Sequence, residues 1–214
     1  MISRIISANS TRDISSELLL PNGRLKLLPS KTLQAYKWDD FRTFCHIHAR
    51  YGIPTVEQHL FLQKVIGDRS VIEIGAGAGD LGFHLKIQMT DSKQQDRPDI
   101  KAAYEAMRQP TINYPRDVEK IDALKAVEKY KPQVVIGSWI TTYAPHEMPY
   151  SSNPFGIKEK LILDQVETFI LIGNVDVHGD KPIMKIAHEE IYEQWIVSRG
   201  KNQENNRIFI WNKN

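Results

Sequence analysis

The apolar positions of this chain change period as it runs. Between Lys37 and Arg50 they recur at steps of three and four (Trp38, Phe41, Phe44, Cys45, His48), which predicts an amphipathic helix ending before "YGIP". "TVEQHLFLQKVIG" predicts a second helix: Thr55 and Gln58 have the spacing of a capping box, and Gly67 closes it. The pattern then switches to short, continuous apolar runs. "SVIEIG", "KIQMT", "QVVIGSWI", "ETFILIGN" and the closing "NRIFIWN" are predicted strands. Between them "DLGFHL", "IKAAYEAMR", "AVEKYKP" and "IKEKLILDQ" are predicted as helices or helix ends, and "IAHEEIYEQWIVSRG" as a long helix before the last strand. Strands that are apolar throughout, and that alternate with helices, imply an α/β fold whose mainly parallel sheet is covered on both faces.

Residues 1 to about 35 break this rhythm, mixing short apolar clusters with Ser, Asn, Pro and Gly ("LLLPNGRLKLLPS") in a way that suits a loosely structured arm or hairpin. The organisation expected is therefore an N-terminal arm and helix over 1–50 and one domain over 51–214. A length of 214 residues, 41% of them hydrophobic, is enough for one sizeable core and too short for two ordinary domains. A formal charge of +2 gives no field that would recruit nucleic acid or an anionic membrane. Cys45 is the single cysteine, so disulfides and thiolate metal clusters are excluded, and its place in an apolar helical pattern makes it a small core residue. No apolar run approaches the roughly 18 residues of a membrane span and the start lacks a signal peptide's apolar segment, so a soluble, cytoplasmic protein without membrane partners is expected.

The chemistry concentrates at "VIEIGAGAGD", where a buried strand runs into glycines at Gly75, Gly77 and Gly79. Glycines after the first strand of a parallel sheet let the backbone approach a ligand at the edge where such sheets bind. A phosphate-binding P-loop would need Lys-Ser or Lys-Thr after its last glycine, and none follows here. A dinucleotide fingerprint would need a third glycine where Asp80 stands, and an acidic side chain there repels a pyrophosphate. A tight strand-to-helix turn with no ligand remains an open reading.

On these residues the chain resembles class I methyltransferases that use S-adenosylmethionine: "VIEIGAGAG" places Glu73, Gly75, Gly77 and Gly79 on the positions of an E/D-x-G-x-G-x-G motif. The segments "YGIPTVEQ", "VIEIGAGAGDLG", "MTDSKQQ", "VEKIDALKAVEKYKPQVVIGSWIT" and "ILIGNVDVHGDKPI" look like a little-characterised bacterial and phage group of that superfamily. The resemblance spans about Tyr51 to Trp211. It implies a three-layer Rossmann-like methyltransferase fold with an antiparallel final strand, and S-adenosylmethionine as cofactor, but no substrate. It further implies that Gly75, Ala76 and Gly77 present backbone to the methionine end and that Glu73 holds the loop and meets the ligand's ammonium. Asp91, with Ser92 beside it, would then take the ribose hydroxyls, and Asp122 with the Ala123 N–H the adenine. Read alone, Asp91 is also a turn aspartate and Asp122 a helix N-cap, a role compatible with the other. Two departures stand out: the chain between Gly79 and Asp91 is short for a helix plus a strand, and "GSWITTYAP" differs from the Asn/Asp-Pro-Pro-aromatic sequence of enzymes that methylate DNA bases. "NPFG" resembles that sequence but lies too far beyond its strand and reads as a loop turn.

Ser138 and Trp139, at the mouth of "QVVIGSWI", are candidate walls for adenine or acceptor, with an ordinary core tryptophan as the alternative. Methyl transfer from a sulfonium needs positioning more than a dedicated base. If a base acts, Thr141, Tyr143, His146 and His178 are the candidates, His178 and Tyr143 foremost; a loop-bonded histidine is the plainer reading of His178. "HIH" and "HEE" lack ligand spacing, and no metal is expected. A small-molecule acceptor is favoured and a protein acceptor stays open, while nucleic acid is not indicated, there being no basic, aromatic-interleaved surface. Two readings compete with the enzyme: a cofactor-binding module without turnover, and an interaction protein that has lost the ligand.

Overall fold

The computed structural model describes residues 11–143 and 155–213. His146 and the first half of "NPFG" lie outside the described residues, as do the first ten of the arm. Among the described residues, seven strands form one sheet: β2 (Val71–Ile74), β3 (Gln88–Asp91), β4 (Val118–Lys120), β5 (Val134–Ser138), β6 (Thr168–Asn174), β7 (Glu189–Ile191) and β9 (Asn206–Asn212). Their spatial order is β4-β3-β2-β5-β6-β9-β7. The first five run parallel and β9 runs against its neighbours β6 and β7. The chain steps outward from β2 to β3 and β4, then returns to β5 on the other side of β2, so the strand order reverses between β2 and β5. This is the three-layer, mainly parallel Rossmann-like architecture expected, with its antiparallel last strand.

The two faces of the sheet follow from side-chain alternation along the central strands. Val135, Phe169, Leu171, Phe209 and Trp211 point to one side, where Ala126 and Val127 of α7 (Ala123–Tyr130) and Ile162 and Leu163 of α8 (Glu159–Leu163) cover them. Val134, Ile136, Ile170, Ile172, Ile208 and Ile210 point to the other, against Leu62 and Ile66 of α4 (Val56–Ile66) and Leu81 of α5 (Asp80–Leu85). Helix α4 starts where predicted, with the Thr55 hydroxyl accepting from the Gln58 N–H at 3.1 Å. The first crossover is indeed compressed, since α5 is six residues long. The central helix of the arm region, α3 (Trp38–Ile47), also matches its periodicity.

Two expectations need changing. Of the two readings of the arm, the hairpin holds and the loose structure does not: Leu19 bridges Leu25 antiparallel, and from Thr11 onward the arm folds through α1 (Ser15–Leu18) and α2 (Ser30–Gln34). Ile14, Leu18, Leu25 and Leu33 make a third core with Phe41, Phe44, Cys45, Ile53 and Val197. Spaced leucines that look scattered in sequence all reach one site, Leu18 and Leu25 from either side of the turn at residues 20–23. The helix predicted over "IAHEEIYEQWIVSRG" does not form either. Its residues make β7 and then β8 (Val197–Ser198), which pairs antiparallel with β1 (Gly52–Ile53). Strand β9 would otherwise end the sheet with an open edge; Glu189–Ile191 caps it with two exposed glutamates, and that long-range pairing overrides a helical pattern. Strand β4, at the opposite edge, is three residues long and carried no periodic signal.

Candidate functional site

A cleft of about 440 Å³ opens beyond the carboxyl ends of β2 and β5, where the strand order reverses. Glu73, Gly75, Ala76 and Gly77 line it from the first strand and its turn. Asp91 and Ser92 line it from the end of β3, Asp122 and Ala123 from the start of α7, and Ser138 and Trp139 from the end of β5. All ten residues singled out for the cofactor thus face one space. Thr141 lines it as well, whereas Tyr143 and His178 do not.

The glycine turn has left-handed backbone at each of its three glycines, with φ of 60°, 56° and 68°. At Gly77 this aims the N–H at the carboxylate of Asp91, whose Oδ2 accepts it at 2.9 Å while Oδ1 accepts the Lys93 N–H at 2.6 Å. Each oxygen keeps a lone pair, so the carboxylate can still accept from two hydroxyls of a ligand. Burial raises the Asp91 pKa above the usual carboxylate range, partly offset by those two N–H donors. Glu73 is 2% exposed. Its Oε2 accepts the Gly82 N–H at 2.9 Å, tying β2 to the first turn of α5. Desolvation pushes its pKa up to about 8 against the Gly82 hydrogen bond, with the Asp80 and Asp91 charges adding to the rise and Arg24 opposing it. Asp122 caps α7: its Oδ1 accepts the Leu124 N–H at 2.9 Å and, at 3.5 Å, that of Lys125. Ala123 is the first residue of α7, so its N–H belongs to the donors that a helix leaves unpaired.

Asp80, the residue that breaks the dinucleotide fingerprint, has a structural occupation. Its Oδ2 lies 2.7 Å from Nε of Arg50, both side chains being 9% exposed, and its Oδ1 accepts the Leu25 N–H at 2.8 Å. Arg24 of the arm reaches the same turn. Its guanidinium is 3% exposed, donates to the Ala78 carbonyl at 2.7 Å and pairs with Asp117. A side chain at Gly79 would put its Cβ 2.2 Å from Arg24 Nη1. None of this was read from the sequence; the signal was there only in Asp80, at the one position where a nucleotide fold's glycine is replaced.

Trp139 has φ of 55°, a left-handed conformation that costs a bulky residue of order 1–2 kcal/mol. It is held there by packing: the Trp139 N–H donates to the Ile172 carbonyl at 2.8 Å, and a Cβ on Gly52 would stand 2.6 Å from the indole. His178 meets the indole edge-on, with ring centroids 5.2 Å apart. His178, the foremost base candidate, stands where its plainer reading as a loop-bonded histidine would put it. The imidazole is 3% exposed, its Nδ1 accepts the Asn174 N–H at 3.0 Å, and burial with the nearby Lys181 charge lowers its pKa to about 4. The ring packs on Trp139 and lies outside the lining of the cleft. Tyr143 is likewise displaced: it stands outside the cleft with Lys158 Nζ over its ring at 4.6 Å. Cys45 is a core residue whose thiol burial pushes up to about 12.

Tyr51, Gln95, Tyr104 and Tyr114 line the cleft too and carried no sequence signal. Gln95 ties two segments, accepting the Ile112 N–H at 2.8 Å and donating to the Tyr104 hydroxyl at 3.1 Å. Burial, reinforced by Tyr51, raises the Tyr104 pKa to about 12. Among the described residues no three His, Cys, Asp or Glu side chains are grouped to hold a metal ion, and no helix is long and apolar enough to cross a membrane.

Fold and site together define a Rossmann-like α/β protein with a cleft at its topological switch point. No protein-family model and no curated protein matches the chain. Among solved structures it is similar to SMU.776 complexed with SAH, at 12% identity and a TM-score of 0.37 over 72% of this chain and 48% of that one. It is similar to the bifunctional kinase-methyltransferase WbdD, at 15% identity and a TM-score of 0.41 over 72% and 37% of the two chains. A third likeness is to TehB from Haemophilus influenzae, at 12% identity and a TM-score of 0.40 over 74% and 62%. The chain spans less than two thirds of the length of each.

Proposed function

We propose that this protein is an S-adenosylmethionine-dependent methyltransferase acting on a small-molecule acceptor. The observation that carries the reading is the convergence of two buried carboxylates, Glu73 and Asp91, on one cleft beside a glycine turn. Such a pair suits a ligand that offers an ammonium, which draws the proton off Glu73, and a hydroxyl pair for Asp91. The residues fit the cofactor in other respects: Asp91 retains two acceptor positions, and the Ala123 N–H, in the first turn of α7, and Asp122 stand together where a base edge would be read.

When bound, S-adenosylmethionine supplies a methyl group on a sulfonium; the carbon–sulfur bond breaks as the bond to the acceptor forms, and S-adenosylhomocysteine leaves. The chain's part is to hold both molecules in line and to exclude water. Glu73 would neutralise the ammonium, Asp91 with Ser92 would fix the ribose, and Ser138 and Trp139 would wall the cleft on its β5 side. Placement of the acceptor can supply most of the rate effect, so the reading requires no general base.

Isothermal titration with S-adenosylmethionine and S-adenosylhomocysteine tests it, followed by labelled-methyl transfer to small-molecule extracts. Asp91→Ala should weaken cofactor binding by ~1.5–3 kcal/mol, the usual loss for a hydrogen bond to a charged group. Binding without transfer would mean a cofactor-holding module, and no binding of either compound would refute both.

A further inference from the structure

We propose that the acceptor is an uncharged planar molecule with a carboxamide or lactam edge, its ring against Tyr51 and Trp139 and its edge on the carboxamide of Gln58. This rests on the cofactor reading above, which assigns the β2, β3 and α7 side of the cleft and leaves the β5 and β6 side for the acceptor. Gln58 lines the cleft and is 3% exposed. It belongs to the capping box read from the sequence, and that box is only half made. The Thr55 hydroxyl accepts the Gln58 N–H, but the Gln58 side chain returns no bond to the Thr55 N–H. Among the described residues its carboxamide has no hydrogen-bond partner, and it borders the cleft instead of being sealed in the core. A buried amide with its acceptor oxygen and two N–H donors unspent calls for a complementary group.

The fold puts Gln58 on the acceptor side. Gln58, Leu62 and Ile66 share one face of α4, and Leu62 and Ile66 pack with Ile136 of β5 and with Ile170 and Ile172 of β6. Gln58 is the end of that face that reaches the cleft. Ile172 lines the cleft as well, and its carbonyl holds the Trp139 N–H. The rings of Tyr51 and Trp139, both partly buried and both lining the cleft, lie 6.5 Å apart with planes tilted by 30°. Open aromatic surface in the same cleft as an unpaired amide suits a flat ligand whose edge offers a donor and an acceptor together. Charge decides against an anion. Arg50 is the one cation among the described lining residues, and it is consumed by Asp80 and by the carbonyls of Gly23 and His48. A carboxylate or phosphate would be desolvated there without a free counter-charge, whereas a neutral amide pairs with Gln58 through two bonds.

The test uses the full chain saturated with S-adenosylhomocysteine, whose binding is measured first. The probes are nicotinamide, its carboxylate counterpart nicotinate, and cyclohexanecarboxamide, which keeps the carboxamide on a ring that is not flat; each is titrated by ligand-observed NMR. Nicotinamide should bind about tenfold more tightly than either, the size of one or two neutral hydrogen bonds or of an aromatic contact. Gln58→Leu, which removes the amide and keeps the bulk, should cost nicotinamide about tenfold with S-adenosylhomocysteine affinity unchanged. Weaker S-adenosylhomocysteine binding by that variant would put Gln58 on the cofactor and overturn the proposal. So would nicotinate or cyclohexanecarboxamide binding as tightly as nicotinamide, binding of no probe, or a nicotinamide affinity that survives Gln58→Leu. The ranking of probes on the wild-type chain decides the question even if the variant fails to fold. If the wild-type chain fails to bind S-adenosylhomocysteine, the cofactor reading falls and this inference with it; if it binds and shows no preference for nicotinamide, only this inference falls.

Discussion

Glu73→Gln should change the pH dependence of stability more than stability itself. The wild-type carboxyl is buried, with one N–H donor, and its pKa stands at about 8 against an ordinary 4.5. A group whose folded pKa is raised contributes stability that is complete below the unfolded value and is lost as pH climbs to the folded one. The window is therefore 4.5 to about 8, and at 1.36 kcal/mol per unit the loss has a ceiling of about 5 kcal/mol, roughly 3 of it by neutral pH. Glutamine keeps an oxygen for the Gly82 N–H and removes the titration. Urea unfolding across this range should show the two proteins diverging, the variant becoming the more stable above about pH 7. Ligand binding gives an independent reading: if an ammonium meets Glu73, binding at neutral pH releases about one proton, seen as a dependence of calorimetric enthalpy on the buffer, and Glu73→Gln abolishes it. Parallel stability curves for the two proteins would refute the argument, because they would mean that Glu73 titrates as it does in the unfolded chain.

The remaining predictions concern buried ion pairs. Asp80→Asn leaves Arg50 buried without its counter-charge and should cost ~3–5 kcal/mol, read as a lowered urea midpoint with an unchanged slope. Lys181→Met strands Glu159, which is 3% exposed and lies 2.5 Å from the Lys181 ammonium, and should cost a similar ~3–5 kcal/mol. Adding Glu159→Leu to that variant should restore most of the loss, and a double variant as unstable as the single one would show that the cost lies elsewhere.

What could be read along the chain was whatever depends on near neighbours. The central strands were legible because Val134 to Ile136 and Phe169 to Ile172 are buried on both faces and so are apolar without a break. Thr55 and Asp122 announced their caps because a cap bonds to residues two or three positions on. The glycine turn was legible for the same reason, and the places of Asp91 and Asp122 could be laid beside it through a resemblance. Pairings across long distances left no such trace. Glu189–Ile191 has a helical pattern and became a strand because β9 needed an edge. Tyr51, Tyr104 and Tyr114 converge from three separate segments, and nothing in the spacing of tyrosines says so. His178 shows the limit most sharply. Its neighbourhood of glycines correctly marked the end of β6, but which way the ring turns depends on the Asn174 N–H and on the edge of Trp139, and both draw it inward.

The arm changes what the glycine turn means. A loop with three left-handed residues has many conformations available when unfolded, so something must hold it in one. Asp91 holds it from the sheet through Gly77, and the arm holds it from outside. Arg24 takes the Ala78 carbonyl, the Leu25 N–H takes Asp80, the Leu25 carbonyl accepts from His84 at 2.7 Å, and Arg50 bonds the Gly23 carbonyl at 3.0 Å. These contacts join residues 23–25 to the C-terminal end of the turn, to the helix after it and to Arg50. The order of the turn and the packing of the arm therefore rest on the same contacts. The compressed α5 gives the reason for this arrangement. With six residues in the first crossover there is little helix to brace the loop, and Arg24, Leu25 and Arg50 supply from the arm the support that a longer helix would have given.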